Sequence, residues 1–398
     1  MKGLVYTVVS GAVRYKGYFD WVLSRLVERD AKKEVRYLLW ISFYQITHMK
    51  KAHYHVVMEA VEYAKRHLNV KTGSFVNAVL RRFIREKDLL SRSLPHDPAQ
   101  ALAITRSFPE WLVRRWLSRF GPVETDRLLD LLNEPPAFTI RIDPARASKA
   151  DVVARLESLG VATKEGRFLD SALQVDKLAP VLKDPLFTEG AITVQDEASQ
   201  IVARAVPPLQ GPVLDACAGV GTKAAQIRES SPETLLVAMD NDMGRLRKTG
   251  GRMDRVQGDG IGAPYRKDAF GVIVLDAPCS SMGIIRKHPE IKWRRSEEEI
   301  ITFGNYQLDL MRSLWDNLRA GGTMIYSVCS FEPEETVGVL DRFRAEKHFF
   351  VENPLPSLMS GDRCSLLPDK AGMGEDFFLS LPHETGMDGF FIARLRKP

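Results

Sequence analysis

The apolar residues of this chain change their period along its length, and that change limits the fold more than any single motif does. From Tyr6 to about Glu86 they recur at helical spacing, as in Tyr37-Leu38-Leu39-Trp40-Ile41-Ser42-Phe43-Tyr44-Gln45-Ile46 and Val56-Val57-Met58-Glu59-Ala60-Val61-Glu62-Tyr63-Ala64, which predicts an all-α unit. The stretch Ser91-Arg92-Ser93-Leu94-Pro95-His96-Asp97-Pro98 has no periodicity and reads as a linker. After it come a helical segment around Pro109 to Leu117, a run from Pro135 to Ile142 that alternates like a strand, and a helix from Lys149 to Leu159 closed by Gly160. Together these predict a small α+β unit.

From Gln195-Asp196-Glu197-Ala198-Ser199, which opens a new helix, the pattern becomes short unbroken apolar runs between helices: Val213-Leu214, Leu235 to Met239, Gly271 to Leu275 and Thr323 to Tyr326, closing with Gly389 to Leu395. Such runs suit central strands of a parallel sheet covered on both faces. The expected division is therefore an all-helical domain over 1–90, a small α+β domain over 99–190 and an α/β catalytic domain over 191–398. A chain of 398 residues agrees, since roughly 150 residues make an ordinary domain.

No apolar stretch approaches the ~20 residues of a membrane helix, and the start of the chain lacks a secretory layout, so the expected location is the cytoplasm. Cys217, Cys279, Cys329 and Cys364 stand far apart, with neither Cys-x-x-Cys nor His-x-x-x-His spacing. No disulfide framework and no metal site are expected, and any functional cysteine should act as a thiol. Charge is uneven: residues 1–150 carry 26 Lys and Arg against 15 Asp and Glu, while residues 151–398 carry 30 against 36. The basic front of the chain suits a polyphosphate partner, although a solvated basic face would give the same counts.

Ligands of an open α/β sheet collect beyond the carboxyl ends of its strands, so the residues after each apolar run are the informative ones. After the first comes Asp215-Ala216-Cys217-Ala218-Gly219-Val220-Gly221-Thr222-Lys223, whose small residues let a ligand approach backbone N–H groups. After the second comes Asp240, placed to accept ribose hydroxyls. Together they indicate a nucleoside cofactor without separating a nicotinamide dinucleotide from S-adenosylmethionine. Gly258-Asp259-Gly260 offers a further carboxylate for an adenine amino group, or simply a turn aspartate. Asp276-Ala277-Pro278-Cys279-Ser280-Ser281 then sets an acid and a thiol just outside the sheet, and Tyr326-Ser327-Val328-Cys329-Ser330 brings a second thiol to the same edge.

An isolated cysteine is usually a small buried hydrophobe. Two at adjacent strand ends, beside a methyl donor, answer a chemical problem: C5 of a cytosine is too poor a nucleophile to attack a sulfonium methyl directly. A thiolate that adds to C6, with an acid at N3, makes C5 electron-rich enough, and a base must later remove the C5 proton. The basic run Arg286, Lys287, Lys292, Arg294 and Arg295 is placed to grip phosphates flanking such a base, or to form a solvated helix face.

At these residues the chain resembles the bacterial 16S rRNA (cytosine-C5) methyltransferases with a NusB-like helical domain in front, relatives of the NOL1/NOP2/Sun proteins. The resemblance spans nearly the whole chain and rests on the 195–199 helix start, the 215–223 loop, Asp276 to Ser280, Arg286-Lys287-His288-Pro289-Glu290-Ile291-Lys292-Trp293, Cys329-Ser330 with Pro333-Glu334-Glu335, and Asp388-Gly389-Phe390-Phe391. It implies a NusB-like RNA-binding domain, a small α+β domain and a Rossmann-like methyltransferase domain. It also implies Cys329 as the attacking thiol, Asp276 at the base and Cys279 in product release. Cys217, Ala218, Gly219, Val220, Gly221, Thr222, Lys223, Asp240, Asp259 and Asp276 would line the S-adenosylmethionine pocket. The implied substrate is small-subunit rRNA, at cytosine 967 in the usual numbering, and a monomer with no membrane or metal partner is expected.

Three departures stand out. Gly219-Val220-Gly221-Thr222-Lys223 replaces the family's Ala-Pro-Gly-Gly-Lys, the stretch from Arg245 to Gln257 is short, and by the resemblance the amino terminus is expected to lack the family's first helix. The alternatives are a methyltransferase for another RNA cytosine, a DNA cytosine methyltransferase attacking through Cys279, and an RNA-binding assembly factor with an inactive core.

Overall fold

The computed structural model describes residues 2–49, 51–90, 93–248, 253–352 and 377–398; Ser91 and Arg92 of the expected linker, and Cys364, lie outside them. The chain divides into two compact units, Met1–Glu134 with Ile285–Arg294, and Pro135–Ile284 with Arg295–Pro398. Among the described residues no helix is long and apolar enough to cross a membrane.

The first unit is helical, as its periodicity predicts. Its helices are Lys2–Arg14, Lys16–Leu26, Lys33–Thr47, His53–His67, Val70–Leu90, Pro98–Arg106 and Glu110–Asn133, with Ile291–Arg294 from the later segment. In His53–His67 the buried residues are Val56, Val57, Ala60 and Ala64, and in Val70–Leu90 they include Val76, Val79, Leu80 and Phe83. Spacing of three and four turns each set onto one face. These faces close over Phe19, Leu39 and Phe43, which are fully excluded from solvent. Asp97 starts the next helix by accepting from the Ala99 N–H at 3.2 Å, with Pro98 in the first turn where a missing N–H costs nothing.

By contact, helices Pro98–Arg106 and Glu110–Asn133 group with the helical unit, and the second unit begins at Pro135. The segment Ile285–Arg294, read from sequence as a phosphate-gripping run of the catalytic domain, also joins the helical unit. The reason is Lys292, which is fully buried and donates to the Arg14 carbonyl at 2.7 Å, the Ser107 carbonyl at 2.8 Å and Asn133 Oδ1 at 3.0 Å. Trp293 Nε1 donates to the Val13 carbonyl at 2.8 Å. All three ammonium hydrogens of Lys292 are used, which leaves it none for a phosphate, and Arg286 is buried as well.

The second unit begins with a small antiparallel sheet of β1 (Phe138–Ile142), β2 (Thr163–Glu165), β3 (Ala172–Val175) and β4 (Ile192–Val194), in the order β2-β3-β1-β4. Helix Lys149–Ser158, capped by Ser148, packs Val152 and Leu156 against Ile140, Leu173 and Ile192. The larger sheet contains β5 (Val213–Asp215), β6 (Leu236–Asp240), β7 (Asp254–Gln257), β8 (Phe270–Asp276), β9 (Leu318–Val328), β10 (Phe350–Glu352), β11 (Phe378–Ser380) and β12 (Phe390–Arg396). Its order is β10-β12-β9-β8-β5-β6-β7, with β11 beside β12. Strands β5 to β9 pair in parallel, while β12 runs antiparallel to β9. The five expected apolar runs are all strands.

From β5 the chain lays β6 and β7 to one side and then β8 and β9 to the other. The reversal opens a crevice between the ends of β5 and β8, where α/β sheets bind ligands. Asp215 ends β5 and Asp276 ends β8, so the crevice is lined by carboxylates from both sides.

Candidate active site

A cavity of about 310 Å³ occupies that crevice, lined by Asp215, Cys217, Ala218, Gly219, Val220, Thr222, Lys223, Asp240, Asp276, Cys279, Cys329 and their neighbours. Gly219 (φ +58°) and Gly221 (φ +77°) take left-handed backbone conformations that turn the chain from β5 into helix Thr222–Ser230. The Gly219 N–H donates to Asp240 Oδ2 at 2.8 Å, and the Asp242 N–H to Asp240 Oδ1 at 2.9 Å. Asp240 therefore holds the loop in shape as well as facing the cavity. In this loop the turn is carried by Gly219, which stands where the family has alanine, and by Gly221.

Pairing fixes the reactive groups. Asp276 is opposite Ser327 in the β8–β9 register. Cys279 and Cys329 follow these residues by three and two positions, which brings the two sulfurs to 3.2 Å. Asp276 Oδ1 accepts from the Ser327 hydroxyl at 2.7 Å, and Oδ2 accepts from the Lys223 ammonium at 2.6 Å. Burial lowers the Lys223 pKa, but the Asp276 and Asp215 carboxylates outweigh it and the net movement is upward.

Asp215 is the outlier. It is buried, no side chain satisfies its two oxygens, and burial pushes its carboxyl up to about 7 despite the nearby Lys223. The Cys279 thiol is pushed up by its contact with Cys329, then by burial, with the Glu335 carboxylate adding to the effect. Burial and the surrounding carboxylates, Asp215 first among them, also keep the Cys217 thiol protonated.

Ten of the twelve residues expected at the site from sequence line this one cavity; Gly221 and Asp259 do not. Gly221 caps the helix start behind it. Asp259 is exposed and accepts from the Ile261 N–H at 3.0 Å and from the Tyr306 hydroxyl at 3.5 Å. Residues 249–252 of the short stretch before it lie outside the described residues; the rest is a one-turn helix, Met243–Leu246, and β7. Sequence reasoning missed Asp215, Ser281 and Ser327. Asp215 closes the same apolar run as Val213 and Leu214, and Ser327 stands two residues before Cys329, so strand-end position was the available signal.

Comparisons with known proteins agree with this architecture. The family model described as 16S rRNA methyltransferase RsmB/F matches residues 206–396, the NusB family model matches residues 1–85, and a ferredoxin-like domain model of RsmF/B-type methyltransferases matches residues 108–182. Ribosomal RNA small subunit methyltransferase B of Salmonella paratyphi C is 30% identical, across 100% of this chain and 90% of that protein. The protein of the same name from Citrobacter koseri is 29% identical, across 100% and 91%. Among solved structures, that of PH0851 superposes with a TM-score of 0.81 at 22% identity, covering 99% of this chain and 90% of its own. NSun6 from Pyrococcus horikoshii, solved with SFG, gives 0.62 at 20% identity, covering 73% and 99%.

Proposed function

Since this chain belongs to the RsmB/F family of 16S rRNA methyltransferases, we propose that it methylates C5 of a cytosine in small-subunit rRNA, at the position numbered 967, through a covalent adduct with Cys329. The observation that carries this reading is the pair of thiols 3.2 Å apart in a cavity shared with Asp276 and the Gly219 turn. The family takes its methyl from S-adenosylmethionine, and the cavity's residues fit that molecule. The left-handed Gly219 exposes backbone where an added Cβ would meet nothing within 4 Å, Asp240 is set for ribose hydroxyls, and the carboxylates suit a cationic ligand. When bound, this cofactor supplies an electrophilic methyl on a sulfonium centre.

The protein's own groups supply the rest. The Cys329 sulfur, as thiolate, forms a bond to C6 while Asp276, held by Lys223 and Ser327, accepts from the N4 amino group of the base and from N3 once N3 is protonated. The C5–C6 electron pair moves to C5, which takes the methyl. Cys279, kept largely as a thiol, has its sulfur 3.2 Å from that of Cys329 in the free protein. It assists the last step, in which a water molecule takes the C5 proton, the C5–C6 double bond re-forms and the Cys329 sulfur leaves C6 as a thiolate that accepts a hydrogen bond from the Cys279 thiol. A base must enter such a cavity singly, so a loop or flipped cytosine is the substrate form that fits.

The test is transfer of labelled methyl to small-subunit rRNA by the intact protein, with the modified base mapped and Cys329→Ala and Cys279→Ala compared. The expected result is one modified cytosine, no transfer by Cys329→Ala, and a trapped RNA adduct with Cys279→Ala. Transfer by Cys329→Ala at the unaltered rate would overturn the assignment. No transfer and no cofactor binding by the unaltered protein would favour an RNA-binding factor with an inactive core.

A further inference from the structure

Glu335 ends the short 3-10 turn Pro333–Glu335 that follows Cys329, and it is fully buried. It does not line the cavity. Its Oε1 accepts from the Ser280 N–H at 2.6 Å and from Gln307 Nε2 at 3.3 Å. Its Oε2 accepts from the Ser280 hydroxyl at 2.5 Å and the Ser330 hydroxyl at 2.6 Å. Ser280 is the residue after Cys279 and Ser330 the residue after Cys329, and their hydroxyls are 3.3 Å apart. Four donors converge on a group that only accepts when ionised, which is what a buried carboxylate needs to stay charged.

The rest of the surroundings stiffen the same clamp. Gln307 Nε2 also donates to the Pro278 carbonyl at 2.9 Å, and Arg295 Nε donates to the Ser280 carbonyl at 3.0 Å. The Tyr326 hydroxyl donates to the Glu335 carbonyl at 2.6 Å and stands 3.0 Å from Gln307 Oε1. The loops bearing the two thiols leave different strands, and the β8–β9 register ends at Asp276 and Ser327, before either thiol. Beyond that point the Glu335 side chain bonds directly to both loops.

We propose that Glu335 is a positioning residue that sets the spacing between the Cys279 and Cys329 sulfurs, and so the hand-over from base addition to product release. The second half of this statement rests on the two-thiol reading given above; the first half does not. A carboxylate in this place is costly to bury, and an apolar side chain of the same size would pack as well. What an apolar side chain cannot provide is a simultaneous bond to both loops, which adds to the single backbone bond from the Gly283 N–H to the Cys329 carbonyl at 3.0 Å.

The test compares the intact protein with Glu335→Ala and Glu335→Gln by three readouts: capture of phenylarsine oxide, which needs two adjacent thiols; kcat and KM for methyl transfer to small-subunit rRNA; and thermal unfolding. In Glu335→Ala, arsenical capture and kcat should each fall about 10- to 100-fold, the cost of a lost buried hydrogen-bond centre, with KM for S-adenosylmethionine within about twofold. Glu335→Gln should recover most of both, because its amide oxygen still accepts from the Ser280 N–H while its NH2 donates to the two serine oxygens. Should Glu335→Ala not fold, Ser330→Ala removes only the tie on the Cys329 side and should slow capture by about threefold or more. Capture at the unaltered rate in whichever of these variants folds would overturn the proposal, as would a Glu335→Gln protein no better than Glu335→Ala. Methyl transfer by Cys329→Ala would instead sink the two-thiol reading and leave the arsenical result to speak for spacing alone.

Discussion

Lys292 and Asp215 are both buried ionisable groups, one in each unit, each pushed by burial toward its neutral form, and their hydrogen bonding is opposite. Lys292 spends its three N–H donors on Arg14, Ser107 and Asn133 and stacks 3.9 Å over the Phe108 ring. Asp215 has no side chain to satisfy it and opens on a cavity. A satisfied buried charge holds a structure together, whereas an unsatisfied one beside a cavity marks a place kept ready for a ligand. Substitutions around the cavity should therefore alter chemistry more than stability, and those around Lys292 should do the reverse.

The largest expected effect lies on the cavity side. Cys329→Ala should lower methyl transfer by ~10³-fold or more, because nothing else in the cavity can form the C6 bond as readily. The same variant should unfold in urea within about 1 kcal/mol of the unaltered protein, since it removes one half-buried sulfur. A Cys329→Ala protein that is badly destabilised would break the contrast at its strongest point.

Next comes Lys292→Met, which keeps the length of the side chain and strands three acceptors. It should cost about 3 kcal/mol in urea unfolding of the first unit, while kcat of the folded protein stays within about twofold. If kcat falls with stability unchanged, Lys292 belongs to the chemistry and the comparison fails from the other side.

Asp215→Asn tests the sign of the effect. The folded protein holds the Asp215 carboxyl at about 7 against an ordinary value of 3.8. Because the folded value is raised, below pH 3.8 the group is protonated folded or unfolded and costs nothing. As pH rises, the unfolded chain releases its proton first, and the penalty on the fold is complete above about pH 7. The asparagine variant should thus gain about 1–3 kcal/mol at pH 8 and almost nothing at pH 3.5, read from thermal or urea unfolding at the two pH values. A loss of stability at pH 8 would show that the carboxylate is satisfied after all.

The same pair of residues shows what was legible in the sequence. Strands β5, β6, β8, β9 and β12 were readable because each buries a continuous apolar run, and the ends of those runs named Asp276, Cys279 and Cys329 without any knowledge of pairing. The fate of Arg286 to Arg295 was not readable. Its basic residues look like a solvated face, and the partners that bury Lys292 lie 159 to 278 positions away. Glu335 was visible only as part of a motif, because its work depends on two serines brought together by the β8–β9 register. Local pattern reports on burial; it does not report on which distant carbonyl or hydroxyl meets a charge.

The smallest effect separates two aspartates that sequence alone treats alike. Asp240 is buried, lines the cavity and accepts from the Gly219 N–H; Asp259 is exposed and turned to Ile261 and Tyr306. Asp240→Asn removes a charge-assisted bond that shapes the loop and should weaken S-adenosylmethionine binding about tenfold, measured by calorimetry on the intact protein. Asp259→Asn keeps an oxygen able to accept from the Ile261 N–H. Among the four carboxylates that raise the Cys217 pKa, Asp259 comes last. Its effect on binding should stay within about twofold and fade further in salt, as a distant charge does. An Asp259→Asn protein that binds as weakly as Asp240→Asn would extend the ligand site past the end of β7, and the crevice between β5 and β8 would then be only part of it.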